Sequence, residues 1–191
     1  MAAVPANPPP AGIEQEIAGL YEREAPGMLR YAAAVASNPD LARDAVQEAF
    51  FRFFLYRSGG QRVLSPRAWL FRVAHNFLMD QMRAASSQDV SIESLGEWPE
   101  PAAPIEPERS LAELLARLRE FGLSPREIDC VRLRTENLSY DEIAAVLGLK
   151  SGTVGAFLAR AHTKIRKALA EEAARDGAFG RAVPGEGRYA S

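Results

Sequence analysis

The residues best suited to a chemical task form a basic stretch near the C-terminal end of the chain. Five cations occur there with no acidic residue between them: Lys150, Arg160, Lys164, Arg166 and Lys167. Cationic side chains gathered on one helix are suited to binding nucleic-acid phosphates. On a helical wheel, the face opposite the apolar stripe consists of Thr153, Ala156, Arg160, Thr163 and Lys167. This face has the shape to lie in a DNA major groove, although the charge alone fits a solvated helical hairpin equally well.

Two predicted helices and a tight turn must position this face. Ser139 and Glu142 form a capping-box pattern that predicts the first helix, and Ser151 is predicted to cap the second. The apolar stripe of the second helix consists of Val154, Leu158, Ala161, Ile165 and Leu169. A small residue, a turn glycine and a β-branched residue stand at helix-turn-helix spacing: Ala144, Gly148 and Val154. The turn pattern and the charge together favour DNA binding over a plain hairpin.

A second group of polar residues lies on a helix predicted to start at Ser65-Pro66. Its polar face consists of Trp69, Arg72, Asn76, Asp80 and Arg83. The opposite face is apolar and consists of Leu70, Phe71, Ala74, Phe77, Leu78 and Met82. Tryptophan interleaved with arginine and asparagine suits stacking on an unpaired base, with contacts to phosphates and to a base edge. From the wheel alone we favour the alternative, in which Trp69 covers a neighbouring helix and Arg83 pairs with Asp80.

The other helices are predicted from caps and helix breakers. Pro26 is expected to kink or restart the first helix of the chain. Asn38-Pro39 marks a helix start, and Gly59-Gly60 ends that helix. The aromatic residues within it are predicted to belong to the core: Phe50, Phe53 and Phe54. A further capping box, Ser124 with Glu127, predicts a helix ahead of the helix-turn-helix.

Composition excludes several classes of function. With 191 residues, 47% hydrophobic residues and a net charge of −2, the chain is globular and not a nonspecific nucleic-acid binder. Cys130 permits no internal disulfide and is expected to be buried, and with His75 and His162 it provides too few ligands for a metal site. No phosphate loop, dinucleotide fingerprint or nucleophile–base constellation occurs, so neither an enzyme nor a cofactor is predicted. The chain shows no signal-peptide pattern and no membrane-length stretch, so we expect a cytoplasmic protein.

The chain is predicted to be all-α, with two small helical domains joined by a flexible linker. Residues 86–108 contain six acidic residues, four prolines and no basic residue, which is typical of a linker. Fully extended, this linker would reach roughly 75 Å. The domains are predicted at 13–85 and 109–175, with a disordered lead-in at 1–12 and a flexible tail at 176–191.

In their order along the chain, these pieces resemble the extracytoplasmic-function (ECF) sigma factors, a bacterial subfamily of the sigma-70 type. Three segments look like successive parts of the family's region 2: LYEREAPGMLRYA, DLARDAVQEAFFRFF and SPRAWLFRVAHNFLMDQMR. A later segment looks like its region 4: LSPREIDCVRLRTENLSYDEIAAVLGLKSGTVGAFLARAHTKIRKAL. The resemblance covers nearly all of residues 17–171, with a linker where the family has one.

The resemblance implies a protein that binds core RNA polymerase, recognises promoters and melts the −10 element, and that is not an enzyme. Region 2 would contact the clamp coiled coil of the largest polymerase subunit through Asp44, Gln47 and Glu48. The residues expected at melted −10 DNA are Trp69, Arg72, Asn76 and Arg83. For the tryptophan, the resemblance to region 2 favours this role over that of covering a neighbouring helix. Region 4 would bind the flap of the second large subunit and the −35 duplex, the latter through Thr153, Ala156, Phe157, Arg160, Lys164 and Lys167. The acidic linker would thread the RNA channel, and whether an anti-sigma protein also binds the chain stays open.

Two other classes of function fit parts of the sequence. A stand-alone helix-turn-helix regulator would explain the C-terminal helices but not the DAVQE helix or the acidic linker. It would bind duplex DNA without polymerase. A helical module that sequesters a partner would explain a weak recognition helix, and it would show no salt-dependent DNA binding.

The recognition helix departs from the family at Gly155, Ala156 and Phe157, where basic and hydroxyl residues are common. Gly155 and Ala156 have no side-chain donor and cannot make a bidentate contact to guanine. Such a contact contributes ~1–3 kcal/mol of discrimination between bases. The sequence therefore predicts a region 4 that positions the protein on the DNA backbone more than it reads the −35 element.

This departure leads to a test with promoter variants. We expect that scrambling the −35 element will reduce transcription less than scrambling the −10 element, because few side chains remain to read the −35 bases. The measurement is in-vitro transcription with purified core polymerase on matched templates. A −35 scramble as damaging as a −10 scramble would show that this helix reads bases after all.

Overall fold

The computed structural model describes residues 12–36, 38–87 and 117–179, and these residues form helices, turns and loops without strands. The helices are α1 (Ile13–Ala36), α2 (Pro39–Ser58), α3 (Pro66–Ser87), α4 (Pro125–Thr135), α5 (Tyr140–Leu147) and α6 (Ser151–Phe179). Residues 117–120 form a further helical turn ahead of α4. The prediction of an all-α fold is confirmed.

Most of the predicted helix ends are confirmed. The Asn38 side chain accepts hydrogen bonds from the first amides of α2, and Ser124 forms the predicted capping box of α4. Ser139 forms the capping box of α5, and Gly148 ends that helix with a left-handed φ of 65°. Ser151 differs from the prediction: it is the first residue of α6, and its hydroxyl donates to an Asp141 carboxylate oxygen of α5. This serine joins two helices instead of capping one.

Two apolar residues are more exposed than predicted, and the first helix does not restart at Pro26. α1 continues through Pro26 without a restart, because buried residues on both sides of the proline, such as Leu20 and Met28, hold one packed helix. Leu169 is 48% exposed and Met82 is 43% exposed. The apolar stripes of α6 and α3 therefore end before the helices do, because no other helix in the described part of the chain covers Leu169 or Met82.

The N-terminal half of the structure is a three-helix unit of α1, α2 and α3. Its fully buried large side chains include Met28, Tyr31, Phe53, Leu70 and Phe71. Phe50 is also buried, so the predicted core role is confirmed for Phe50 and Phe53, whereas Phe54 is only half-buried. The Tyr31 hydroxyl lies 2.7 Å from His75 Nδ1, which gives each of these buried polar groups a partner.

The C-terminal half consists of α4, α5, α6 and the turn that precedes them. A small cluster of Leu118, Leu123, Ile128 and Ala161 holds α4 and α6 together. The axes of α5 and α6 are bent by 103° to each other, within the range of a helix-turn-helix. Val154 is fully buried behind the turn, as the spacing predicted.

The two halves pack against each other. α5 lies against α3, and α4 contacts α1. Residues of both halves, including Phe71 and Ile143, belong to one continuous hydrophobic cluster. The predicted linker lies almost wholly outside the described residues, as do the predicted lead-in before residue 12 and the tail beyond 179.

No single helix among the described residues is long and apolar enough to cross a membrane. The α5–α6 pair meets the length and composition criterion only jointly, across its 103° bend.

Candidate polymerase and nucleic-acid interfaces

The polar residues predicted on α2 line an open groove of about 540 Å³ between α2 and α3. Asp44 and Gln47 are exposed on its rim, and Glu48 is half-buried. Arg52 Nε lies 2.6 Å from Glu48 Oε1, an ion pair one helical turn apart. The structure thus brings the three predicted residues together on one surface, as their i, i+3 and i+4 spacing requires.

Phe51 is a feature of this groove that the sequence reasoning missed. Its side chain is 54% exposed, although its chain neighbours Phe50 and Phe53 are buried. Its position four residues after Gln47 and three after Glu48 places it on the polar face of α2. This spacing is the sequence pattern from which an outward-facing Phe51 could have been predicted. Aromatic side chains are enriched in protein-binding surfaces.

The predicted polar face of α3 presents Arg72, Asn76 and Arg83 as exposed side chains. Arg83 Nη1 lies 3.0 Å from Asp80 Oδ1, so the local ion pair considered from the wheel is present. Trp69 is half-buried. Its ring centroid lies 5.4 Å from that of Phe53 and 5.8 Å from that of Tyr56, both on α2. The tryptophan therefore covers the neighbouring helix and presents only part of its indole at the end of the polar face.

The predicted recognition face of α6 is exposed along its length, at Thr153, Ala156, Arg160, Thr163 and Lys167. Phe157 is half-buried against the core, and the Arg160 guanidinium lies 4.9 Å from its ring centroid. Gly155 points toward α5, because a Cβ built on it would lie 3.6 Å from the Tyr140 ring. Of the three residues that depart from the family pattern, only Ala156 lies on the exposed recognition face.

Glu127 on α4 binds two of the cations predicted to face DNA. Its side chain is 3% exposed, Lys164 Nζ lies 2.7 Å from Oε2, and Arg160 Nε lies 3.3 Å from Oε1. Lys164 Nζ also donates to the Gly122 carbonyl at 2.9 Å. Burial alone would raise the pKa of the Glu127 carboxyl. The Lys164 ammonium and the hydrogen bonds from Ser124 outweigh it and lower the pKa to about 2.

Comparison with known proteins assigns these surfaces to a family. Residues 20–88 match Sigma-70 region 2, and residues 109–165 match Sigma-70 region 4. The chain is 32% identical over 157 residues to the ECF RNA polymerase sigma factor SigL of Mycobacterium tuberculosis, covering 80% of this chain and 88% of that protein. It is 30% identical over 170 residues to the RNA polymerase sigma factor CarQ of Myxococcus xanthus, covering 84% and 92%. The chain belongs to the ECF sigma factors.

Two solved structures support the fold assignment. The sigma factor RpoE of Bartonella quintana, in complex with the anti-sigma factor NepR, aligns with a TM-score of 0.59 at 22% identity, covering 81% of this chain and 97% of that one. CnrH, in complex with the cytosolic domain of CnrY, aligns with a TM-score of 0.58 at 21% identity, covering 83% and 90%. At these identities the likeness concerns the fold.

As an ECF sigma factor, the protein binds core RNA polymerase and directs it to promoter DNA for transcription initiation. Region 2 contains the α2 groove and the polar face of α3, and region 4 contains the helix-turn-helix. The match to region 2 accounts for the DAVQE helix, which a stand-alone helix-turn-helix regulator left unexplained. Sigma factors are generally not enzymes. Within the described residues, no three histidine, cysteine or carboxylate side chains are grouped so as to hold a metal ion.

The buried carboxylate of this sigma factor predicts a pH-dependent stability. Because the folded-state pKa of Glu127 lies below its ordinary value of 4.5, its contribution is complete above pH 4.5 and is lost as the pH falls toward 2. We expect Glu127→Gln to lower the free energy of unfolding at pH 7 by ~1–3 kcal/mol and to flatten its pH dependence between 4.5 and 2. Urea unfolding measured across this range tests both effects.

Glu171→Gln is the matched control, because Glu171 is exposed and lies 3.9 Å from Lys167. It should change neither the free energy of unfolding nor its pH dependence appreciably. A Glu127→Gln variant that behaves like this control would contradict the anchoring role of the buried carboxylate.

Proposed function

We propose that the α2 groove is the surface through which this sigma factor binds the clamp coiled coil of polymerase. The main support for this proposal is that four side chains of α2 line one groove. Asp44 and Gln47 are exposed, Glu48 is half-buried, and Phe51 points outward. The acidic groups suit basic side chains on a partner helix, and the phenyl ring supplies apolar area for burial. Aromatic anchors of this kind carry much of the free energy in protein interfaces.

The groove can be tested with two variants and one control. Phe51→Ala should weaken binding to core polymerase by roughly tenfold or more, because the loss of a buried aromatic anchor typically costs at least ~2 kcal/mol. Asp44→Lys should weaken it by charge reversal. Glu22→Lys makes the same charge change on α1, outside the groove, and should leave affinity unchanged. The measurement is a dissociation constant with purified core enzyme, alongside circular dichroism.

Each outcome of this experiment bears on the groove. Unchanged affinity in both groove variants would place the polymerase contact elsewhere on region 2. An equal loss in the Glu22→Lys control would show that overall charge, and not this groove, determines binding.

We further propose that the polar face of α3 holds the melted −10 strand. Arg72 and Arg83 are placed for phosphates, and Asn76 is placed for a base edge between them. Trp69 supports this face by packing on α2, and its exposed part is available for stacking with a base. The half-buried Trp69 would thus have both of the roles considered from the sequence, because it covers α2 and also offers part of its ring to a base.

The exposed position of Asn76 makes it the cleanest probe of melting. Asn76→Ala should reduce open-complex formation on duplex promoters by about tenfold, and by much less on a pre-melted bubble template, because unpairing a base costs a few kcal/mol. Gln81→Ala, on another side of α3, is the control. Permanganate reactivity of unpaired thymines reports the opening. Equal losses of Asn76→Ala on both templates would indicate weaker binding without a role in melting.

We propose that region 4 positions the protein on DNA through contacts with the phosphate backbone and reads few of the bases. Lys167 and Arg160 face outward for phosphates, and Thr153 and Ala156 lie nearest the bases. Phe157 and Lys164 support the helix from within, since one packs on the core and the other binds Glu127. The same half is expected to meet the polymerase flap.

We also propose an anti-sigma partner, no catalytic activity and a cytoplasmic location. The two structural neighbours were solved with the partners NepR and CnrY, which supports a regulator of the same kind here. The cytoplasm follows from the partners, because bacterial core polymerase and promoter DNA are located there.

A further inference from the structure

Arg160 lies on the exposed face of α6, yet two other side chains hold its guanidinium group. Its Nε lies 3.3 Å from Oε1 of Glu127, whose side chain is 3% exposed. Its guanidinium carbon lies over the ring of Phe157, 4.9 Å from the ring centroid and one helical turn earlier on α6. A carboxylate thus binds one edge of the guanidinium group, and a phenyl ring lies against its plane.

The carboxylate that binds Arg160 is itself fixed in orientation. Glu127 Oε2 accepts from Lys164 Nζ at 2.7 Å, and from the Ser124 amide at 2.8 Å within the capping box of α4. Lys164 Nζ also donates to the Gly122 carbonyl at 2.9 Å, which keeps this lysine on the inner side of the helix. Because these donors occupy Oε2, the oxygen that is left for Arg160 is Oε1.

This arrangement determines which donors of Arg160 remain for a ligand. The bond to Glu127 uses the donor on Nε and leaves the donors on both Nη atoms, and the side chain is 56% exposed. Guanidinium N–H groups lie in one rigid plane that matches the oxygens of a phosphate group. An arginine that is already ordered also loses less conformational entropy when it binds.

We propose that Glu127 and Phe157 are positioning residues for DNA binding, and that they hold Arg160 in the orientation in which its Nη groups bind a backbone phosphate. The inference rests on the proposed function of region 4, in which Arg160 contacts the DNA backbone. The two positioning residues act through the arginine and do not contact DNA themselves. Phe157 departs from the family pattern, and this contact gives the departure a role.

Neutralisation of charge by Glu127 would have the opposite effect on DNA binding. A carboxylate beside two cations lowers the positive charge that α6 presents to phosphates. If charge alone mattered, its removal would therefore tighten binding. If the carboxylate positions Arg160, its removal weakens binding, because the long side chain must then be ordered at the moment of contact. The direction of the change in affinity separates the two roles.

The test measures the dissociation constant of holoenzyme, assembled from purified core polymerase and the full chain, on promoter duplex DNA at several KCl concentrations. We expect Glu127→Gln to weaken binding roughly three- to tenfold, the effect of ordering one long side chain. Phe157→Leu keeps an apolar side chain against the core but removes the ring, and it should weaken binding about two- to fivefold.

Glu171→Gln is the matched control, because it makes the same change of charge on α6, 3.9 Å from Lys167 and away from Arg160. It should leave DNA binding unchanged or tighter. All variants are compared at a temperature at which urea unfolding shows each of them to be folded, because Glu127→Gln is also expected to lower the free energy of unfolding.

A double-mutant cycle shows whether both residues act through the arginine. Arg160→Ala alone should weaken binding and lower the slope of log affinity against log salt by about one, the value for one lost phosphate contact. In the Arg160→Ala background, neither Glu127→Gln nor Phe157→Leu should weaken binding further. A general structural effect would instead add to the loss caused by Arg160→Ala.

Two results would overturn the positioning role alone. The first is binding in both Glu127→Gln and Phe157→Leu that is as tight as in Glu171→Gln. The second is a loss in these two variants that is equally large with and without Arg160. An Arg160→Ala variant with unchanged affinity and salt slope would contradict the proposed phosphate contact itself, and the positioning role with it.

Discussion

The structure depends on the burial of one short helix between two partners. α5 has eight residues, too few to be stable in water without tertiary packing. Its apolar residues Ile143, Ala144, Val146 and Leu147 are all buried. α6 packs beside α5 to make the helix-turn-helix, and α3 covers it from region 2. The helix that presents the recognition helix to DNA is therefore also the helix that holds the two halves together.

Two buried carboxylates, one at each end of α4, form ion pairs with different parts of the structure. Glu127, in the first turn, binds Lys164 and Arg160 of α6 and fixes the geometry inside region 4. Glu136, just after the last turn, binds Arg30 in region 2. Both carboxylates are nearly inaccessible to solvent, and breaking such a pair leaves an uncompensated charge. The partners of the first carboxylate lie within region 4, whereas the partner of the second lies in region 2, so that only the second ion pair joins the two halves.

The sequence predicted the local structure of this protein well, because local structure depends on nearby residues. The capping boxes at Ser124 and Ser139 and the left-handed Gly148 each depend on neighbours within five positions. The family resemblance supplied the functional assignment in the same way, from motifs in order. The packing of region 4 on region 2 was not predicted, because Arg30 and Glu136 are 106 positions apart. No periodicity links residues at such a distance.

The candidate site was predicted in part, for a related physical reason. A helical wheel tells which side chains share a face, and it correctly grouped Asp44 with Gln47 and Arg72 with Asn76. It does not tell what lies across from that face. Phe51 was missed because it adjoins two buried aromatics in the sequence, and Trp69 covers α2 because Phe53 and Tyr56 lie opposite it.

The same limit changes how the charge on α6 is understood. Counted along the sequence, the stretch from Lys150 to Lys167 contains five cations and no acid, which suggests a strong phosphate-binding helix. In the structure, Glu127 reaches this helix from α4 and neutralises part of that charge on its inner side. The charge that remains for DNA is smaller. Arg160 is 56% exposed but shares its charge with Glu127. Lys150, ahead of the helix, and Arg166 and Lys167, in its later turns, are exposed away from that carboxylate. Because the first turns carry Thr153 and Ala156, the proposed backbone positioning implies that contact there would depend on shape and methyl groups, and we expect promoter discrimination to fall mainly to region 2.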